Sequence, residues 1–242
     1  MSSTHPRENT MKNLNALLLT ATAAALINGA VSAEIVNLAY QGKEKGQSVK
    51  LDSALYSGNV FAGQLVHTIT GGSTYDGPWI TFCTDLAQHV SGSSKPFEVV
   101  SVEQIPGGSP MGVEKANALR DLYAYAAGAQ LLPTASNALA AAFQLAIWEV
   151  IVDFDASLAD QGLSMTNGGL KASATNGDAL SGDIASHLTS LFASIGSVDA
   201  SGVQLVGFTS GQHQDQLIVV PAPGAFGMLA AAGLCFTRRR RA

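Results

Sequence analysis

The run Ser136-Asn137-Ala138-Leu139-Ala140-Ala141-Ala142-Phe143-Gln144-Leu145-Ala146-Ile147-Trp148-Glu149-Val150-Ile151-Val152 decides the fold class. It predicts a helix from Asn137 to about Val152, with Ser136 or Asn137 as the N-cap before an alanine-rich start. Just upstream, Gly112 to Ala127 sets Ala116, Leu119, Leu122 or Tyr123, and Ala126 at helical spacing, and Gly128 and Pro133 then punctuate the chain. Both helices are expected to pack on a sheet.

That sheet is read from the flanks. Before the helices, Ile35 to Tyr40, Val60 to Thr70, Trp79 to Thr84 and Phe97 to Val102 are short, rich in β-branched or aromatic residues, and separated by Gly, Ser and Asp turns. After them, residues 156–182 are rich in Gly, Ser, Asn and Asp and read as a loop or mobile insertion. Asp183 to Phe192 suits a short third helix, and Val203 to Phe208 and Gln216 to Val220 suit closing strands. The pattern predicts an α+β fold: a β-sandwich or curled sheet with an inserted helical subdomain. No internal repeat is present.

The two ends differ from this middle. Met11 opens a better export signal than Met1: Lys12, an apolar run from Leu14 to Ile27, then Val31-Ser32-Ala33 as a small-residue cleavage site. Residues 1–33 therefore read as a signal peptide, residues 34–218 as the folded domain, and residues 219–242 as a tail. In the tail, Val219-Val220-Pro221-Ala222-Pro223 leads into the apolar stretch Phe226 to Phe236 and the cluster Arg238, Arg239, Arg240 and Arg241. The apolar stretch alone is shorter than the roughly 20 residues a helix needs to span a bilayer, and the arginines would stay cytoplasmic. Val220-Pro221-Ala222-Pro223, a short hydrophobic helix and an arginine cluster together resemble the PEP-CTERM sorting signal, with Ala222 replacing its usual central glutamate. The resemblance implies an exosortase as processing partner, transient anchoring in the inner membrane, and delivery to the cell surface, outer envelope or extracellular matrix.

Over Glu34 to Val220 the chain carries 17 acidic and 7 basic residues, a net charge of −10. Such a surface disfavours nucleic acid and anionic membranes as partners and is compatible with cationic amines. Of the two cysteines, Cys235 lies in the tail, so the domain keeps Cys83 alone. A single cysteine in an oxidising compartment makes no internal disulfide; it is either a small buried hydrophobe or a thiol with work to do.

The central helix supplies a chemical candidate for that work. Gln144 and Trp148, four residues apart, share one face of an otherwise apolar helix, and a buried amide needs partners. Phe82-Cys83-Thr84-Asp85-Leu86 and Gln144-Leu145-Ala146-Ile147-Trp148, with helical sequence between them, resemble the two motifs of the thioester domains of bacterial surface adhesins. Phe143 stands where that family often has threonine, and Thr84 is less apolar than its usual counterpart. The resemblance implies an internal thioester between Cys83 and Gln144, shielded from water by Phe82, Phe143 and Trp148. Its acyl carbon would couple to a lysine amine on a surface or matrix protein. It implies no turnover enzyme and no cofactor.

Other constellations are weaker. Cys83 with His89 or His187 lacks a protease context. Asp153, Asp155 and Asp160 lack the glycine and terminal glutamate of an EF-hand, so no metal site is assigned. Gly71-Gly72 and Gly107-Gly108 are turn signals without the Lys-Ser/Thr of a phosphate loop. Two functions remain open: a covalent adhesin, or a non-catalytic matrix or carbohydrate-associated structural protein whose Cys83 is an unmodified buried thiol.

Overall fold

A computed structural model describes Met1, residues 34–126 and residues 135–220. The predicted signal peptide, the Gly128 and Pro133 punctuation and the tail from Pro221 onward lie outside the described residues. The strands are β1 (Ile35–Ser53), β2 (Ser57–Thr70), β3 (Gly77–Cys83), β4 (Lys95–Ser101), β5 (Leu170–Ala174), β6 (Gln204–Thr209) and β7 (Gln216–Val220). The helices are α1 (Gly112–Ala126), α2 (Asn137–Asp153) and α3 (Gly182–Ser194). The fold is α+β, with the helices inserted between β4 and β6, which are neighbours in the sheet.

Every pairing is antiparallel, and the pairings return to their start: β1 bonds β2, then β3, β7, β6 and β4 follow in order, and β4 bonds β1 again through Val36↔Phe97. Of the two expected arrangements, the curled sheet is therefore the one formed, and it closes on itself. Closure leaves few exposed strand edges. Its interior is filled by Val36, Leu38, Ile69, Phe97, Phe208 and Ile218, all buried and packed together. These residues alternate along their strands with outward-facing neighbours, as the two-residue period requires.

β1 is far longer than the predicted Ile35 to Tyr40, because its second half is held by non-local pairing. After irregularities between Tyr40 and Gly42 and between Lys43 and Gly46, it continues to Ser53 beside β2. At the second irregularity Gly46 faces Gly63, and a Cβ on either would lie 2.3 Å from a carbonyl oxygen of the other strand. Only glycine permits that approach. The Ser/Gly-rich segment expected to be a loop also contains β5, which pairs with Val49 to Ser53 of β1. The preceding turn is pinned to α2: Ser164 N–H donates to Glu149, and the Gly169 and Leu170 N–H groups donate to Asp153. Asp155 and Asp160 accept from Ser157 and Gly162, so all three aspartates once weighed as calcium ligands cap turns.

α2 starts as predicted, with Ser136 Oγ accepting from Leu139 N–H. Residues 140–150 of α2 are all buried. One side meets β1, β2, β3 and β5; α1 and α3 cover another. The small side chains of Ala138, Ala140, Ala141, Ala142 and Ala146 let these layers approach closely. α1 packs chiefly on α2 and α3 rather than on the sheet, although its Tyr123 reaches Phe82 of β3. β7 spans Gln216–Val220, the bounds expected for the closing strand, and so takes in residues 219 and 220, where the domain division begins the tail. Among the described residues, no helix is long and apolar enough to cross a membrane.

Candidate functional site

Cys83 ends β3 where that strand has lost one neighbour. Its β7 side is paired, Cys83 with Gln216, but the last β2–β3 pair is Leu65 with Thr81. On the β2 side, therefore, the peptide N–H and C=O of Cys83 lack a ladder partner, and buried peptide groups must find one. Gln144 takes that place from α2. Its Oε1 accepts from Cys83 N–H at 2.9 Å and its Nε2 donates to Cys83 C=O at 2.8 Å. Both atoms of this fully buried amide are thus spent on the backbone of Cys83.

The sulfur meets different glutamines. Gln214 lies two residues before β7 and Gln216 opens it, and both side chains reach the sulfur. Asp215 faces the other way. Its carboxylate accepts from Gly107 N–H, Ser210 N–H and Thr209 O–H, which fixes the approach to the strand. Gln214 Nε2 donates to the Asp85 carbonyl at 2.8 Å, and a carbonyl can only accept, so the amide oxygen of Gln214 must point the other way. It points at Cys83: the thiol donates to Gln214 Oε1 over 2.8 Å. Since a C=O bond is about 1.23 Å long, the Gln214 carbonyl carbon lies at most about 4 Å from Sγ. On the other flank Gln216 Nε2 donates to Sγ at 3.8 Å and to the backbone carbonyl of Gln214 at 3.1 Å.

Burial pushes the Cys83 thiol up to about 12; the Gln216 hydrogen bond pulls it down, and the charge of Asp85 raises it further. At neutral pH the free side chain is a thiol and a poor nucleophile toward outside reagents.

Cys83, Gln214 and Trp148 line a cavity of about 280 Å³. Tyr40, Tyr56 and Phe61 give it aromatic walls, and Lys43, its ammonium 4.9 Å from the Phe61 ring centre, stands among the lining residues. Two lining residues carry buried polar atoms with no hydrogen-bond partner among the described residues, Trp148 Nε1 and Gln88 Oε1. These are groups that a bound molecule could satisfy.

The structure thus brings Cys83, Gln144 and Trp148 together and distributes the other expected residues differently. Phe82 and Phe143 are fully buried and pack edge-on with Tyr123 behind the site rather than on the cavity wall. His89 lines the cavity, and its carbonyl accepts from Gln214 N–H, while His187 lies on α3. Sequence reasoning missed Gln214 and Gln216. The signal was present as Gln-Asp-Gln at the mouth of an apolar strand.

No protein-family model and no curated protein matches the chain. Among solved structures, it is similar to the N-terminal thioester domain of a surface protein from Clostridium perfringens. That likeness has 14% identity and a TM-score of 0.39, over 72% of this chain and 100% of that one. It is also similar to the N-terminal domain of the Streptococcus pyogenes pilus tip adhesin Cpa, with 16% identity and a TM-score of 0.36, over 76% of this chain and 99% of that one.

Proposed function

We propose that this chain is an exported surface or matrix adhesion protein whose domain forms an internal thioester and captures amines covalently, and that the acyl partner of Cys83 is Gln214. The observation that carries the assignment is the Gln214 carbonyl, turned by the Asp85 carbonyl onto the Cys83 sulfur at the wall of an aromatic cavity. Gln144, the partner implied by the sequence motif, has both amide atoms engaged by the Cys83 peptide groups and does not line that cavity. Its role in this reading is to hold the cysteine backbone.

The chemistry follows from those positions. Sγ attacks the Gln214 side-chain carbonyl carbon, the C–N bond breaks, and the amide nitrogen leaves as ammonia carrying the thiol proton. The product is a thioester between Cys83 and Gln214. An amine, such as the lysine side chain of a partner protein, then attacks the same carbon. The C–S bond breaks, one amine proton passes to sulfur, and an isopeptide bond joins the partner to Gln214. The aromatic walls oppose hydrolysis, the competing fate. The domain reacts once, as a coupling device and not as a turnover enzyme. Export by the N-terminal segment and exosortase processing of the tail would deliver it to the surface.

The test is the intact mass of the purified protein before and after methylamine, with Cys83→Ala, Gln144→Ala and Gln214→Ala beside it. The expected result is a mass lower by one ammonia, regained as a methylamine label on residue 214, absent from Cys83→Ala and Gln214→Ala. A label on residue 144 moves the bond to the sequence-implied partner. An unmodified mass with an alkylatable Cys83 in the opened fold leaves the matrix-protein function.

A further inference from the structure

A row of polar side chains leads from the sulfur into the closed sheet. His67 Nδ1 lies 2.8 Å from Thr81 Oγ1, Thr81 Oγ1 donates to Gln216 Oε1 at 2.8 Å, and Gln216 Nε2 reaches Cys83 Sγ at 3.8 Å. By strand register Thr81 and Cys83 share one face of β3, Cys83 is paired with Gln216, and His67 is paired with Trp79, two residues from Thr81. Thr81 and Gln216 are 135 positions apart in sequence; the direct pairing of β3 with β7 joins them.

The proton positions along the row are fixed by one carbonyl. Gln216 also donates its Nε2 to the backbone C=O of Gln214, which can only accept. Its Oε1 must therefore face Thr81, the threonine hydroxyl must donate to it, and the remaining lone pair of that hydroxyl must accept from His67. His67 thus carries its proton on Nδ1. The ring is 3% exposed, and burial lowers its pKa to about 4, so it stays neutral and the arrangement is single-valued at neutral pH. Every donor in the row points toward the sulfur.

We propose that His67, acting through Thr81 and Gln216, is a positioning residue that stabilises negative charge on Cys83 Sγ whenever the sulfur carries it. Under the thioester function, on which this role in the reaction rests, charge develops on Sγ twice: as it attacks Gln214, and as it departs when an amine attacks the acyl carbon. The row transfers no proton. His67 N–H polarises the Thr81 hydroxyl, that hydroxyl polarises the Gln216 amide, and the amide N–H facing the sulfur becomes a stronger donor, since chained hydrogen bonds reinforce one another. The other titratable groups around the sulfur are Asp85, whose charge opposes the thiolate, Tyr40, whose ring lies 5.5 Å from that of His67, and Lys43, Tyr56 and His89, which line the cavity with Cys83.

The experiment needs no thioester. In a Gln144→Ala/Gln214→Ala background neither candidate acyl partner remains, so Cys83 stays a thiol whichever glutamine ordinarily bonds it, and its alkylation by iodoacetamide is followed against pH below the melting temperature of that protein. Thr81→Val, which deletes the hydroxyl, is expected to slow alkylation roughly three- to tenfold at a given pH and move the profile alkaline, as loss of part of a charge-assisted hydrogen bond requires. Thr81→Ser keeps the hydroxyl and should restore the reference profile. His67→Leu should reproduce the shift. An unchanged profile in folded Thr81→Val or His67→Leu overturns the proposal. The unsubstituted protein gives an independent check: its ¹⁵N-detected NMR spectrum should show His67 protonated at Nδ1, and a ring protonated at Nε2 alone refutes the relay. A missing ammonia deficit in the intact mass would remove the thioester and leave these thiol measurements standing.

Discussion

Replacing Gln144 by alanine separates a structural amide from a reacting one. The substitution strands the Cys83 N–H and C=O, both buried and both held by that side chain at 2.8–2.9 Å. Leaving a buried polar group unpaired costs about 1–3 kcal/mol, so the two together should cost about 2–5 kcal/mol. For a domain of this length that corresponds to a fall in melting temperature of roughly 5–15 °C. Gln214→Ala removes a half-buried amide with bonds to the Asp85 carbonyl and to sulfur, and should cost only about 1 kcal/mol. Thermal denaturation by circular dichroism, run beside intact-mass analysis, reads both quantities. Gln144→Ala should be markedly less stable yet still show the ammonia deficit below its melting point, whereas Gln214→Ala should be nearly as stable as the parent and lack the deficit. A Gln144→Ala protein of parental stability whose deficit has vanished, with Gln214→Ala retaining it, would refute the assignment.

Two further predictions concern the frame around the site. Glu149 is fully buried, its Oε2 has no partner among the described residues, and burial raises its carboxyl to about 8, so the fold favours the protonated form. Its contribution is present below the unfolded value near 4.5 and is lost as pH rises through about 8. Glu149→Gln should therefore raise the urea midpoint above about pH 8, by roughly 2–4 kcal/mol of stability, and the gap should close near pH 4.5; an equal gap at both pH values would contradict this. Asp215→Asn presents an NH₂ group to a site where three donors already converge. The expected loss is about 2–4 kcal/mol, measured by urea denaturation, and a neutral result would show that the β6–β7 turn does not depend on the carboxylate.

Much of this architecture was legible in the chain. α1, α2 and α3 lie within a residue or two of the predicted bounds, because apolar period and capping residues are local signals and Ser136 caps as its type suggests. β5 and the second half of β1 were not legible. Their sequences, Leu-Lys-Ala-Ser-Ala and the lysine- and glycine-rich run after Tyr40, carry little intrinsic strand preference and are held by pairing with each other and with β2. At the site, the motifs around Cys83 and Gln144 marked two elements that do meet. Which glutamine faces the sulfur depends on where β7 enters the sheet beside β3, a contact between residues more than 130 positions apart.

The placement of Gln214 has a mechanical consequence. Gln214 lies two residues before β7 and the described chain ends at Val220, the last residue of that strand. If a partner is bonded to Gln214 and the protein is tethered through the chain beyond Val220, tension runs along this one short strand. The helices and the other strands of the sheet stand beside the load path and not within it. A bond at Gln144 would instead route the pull through α2 and everything between it and β7. Capture at the head of β7 would leave the covalent chain to carry the load, and the fold beside it would have only to survive its neighbour being pulled.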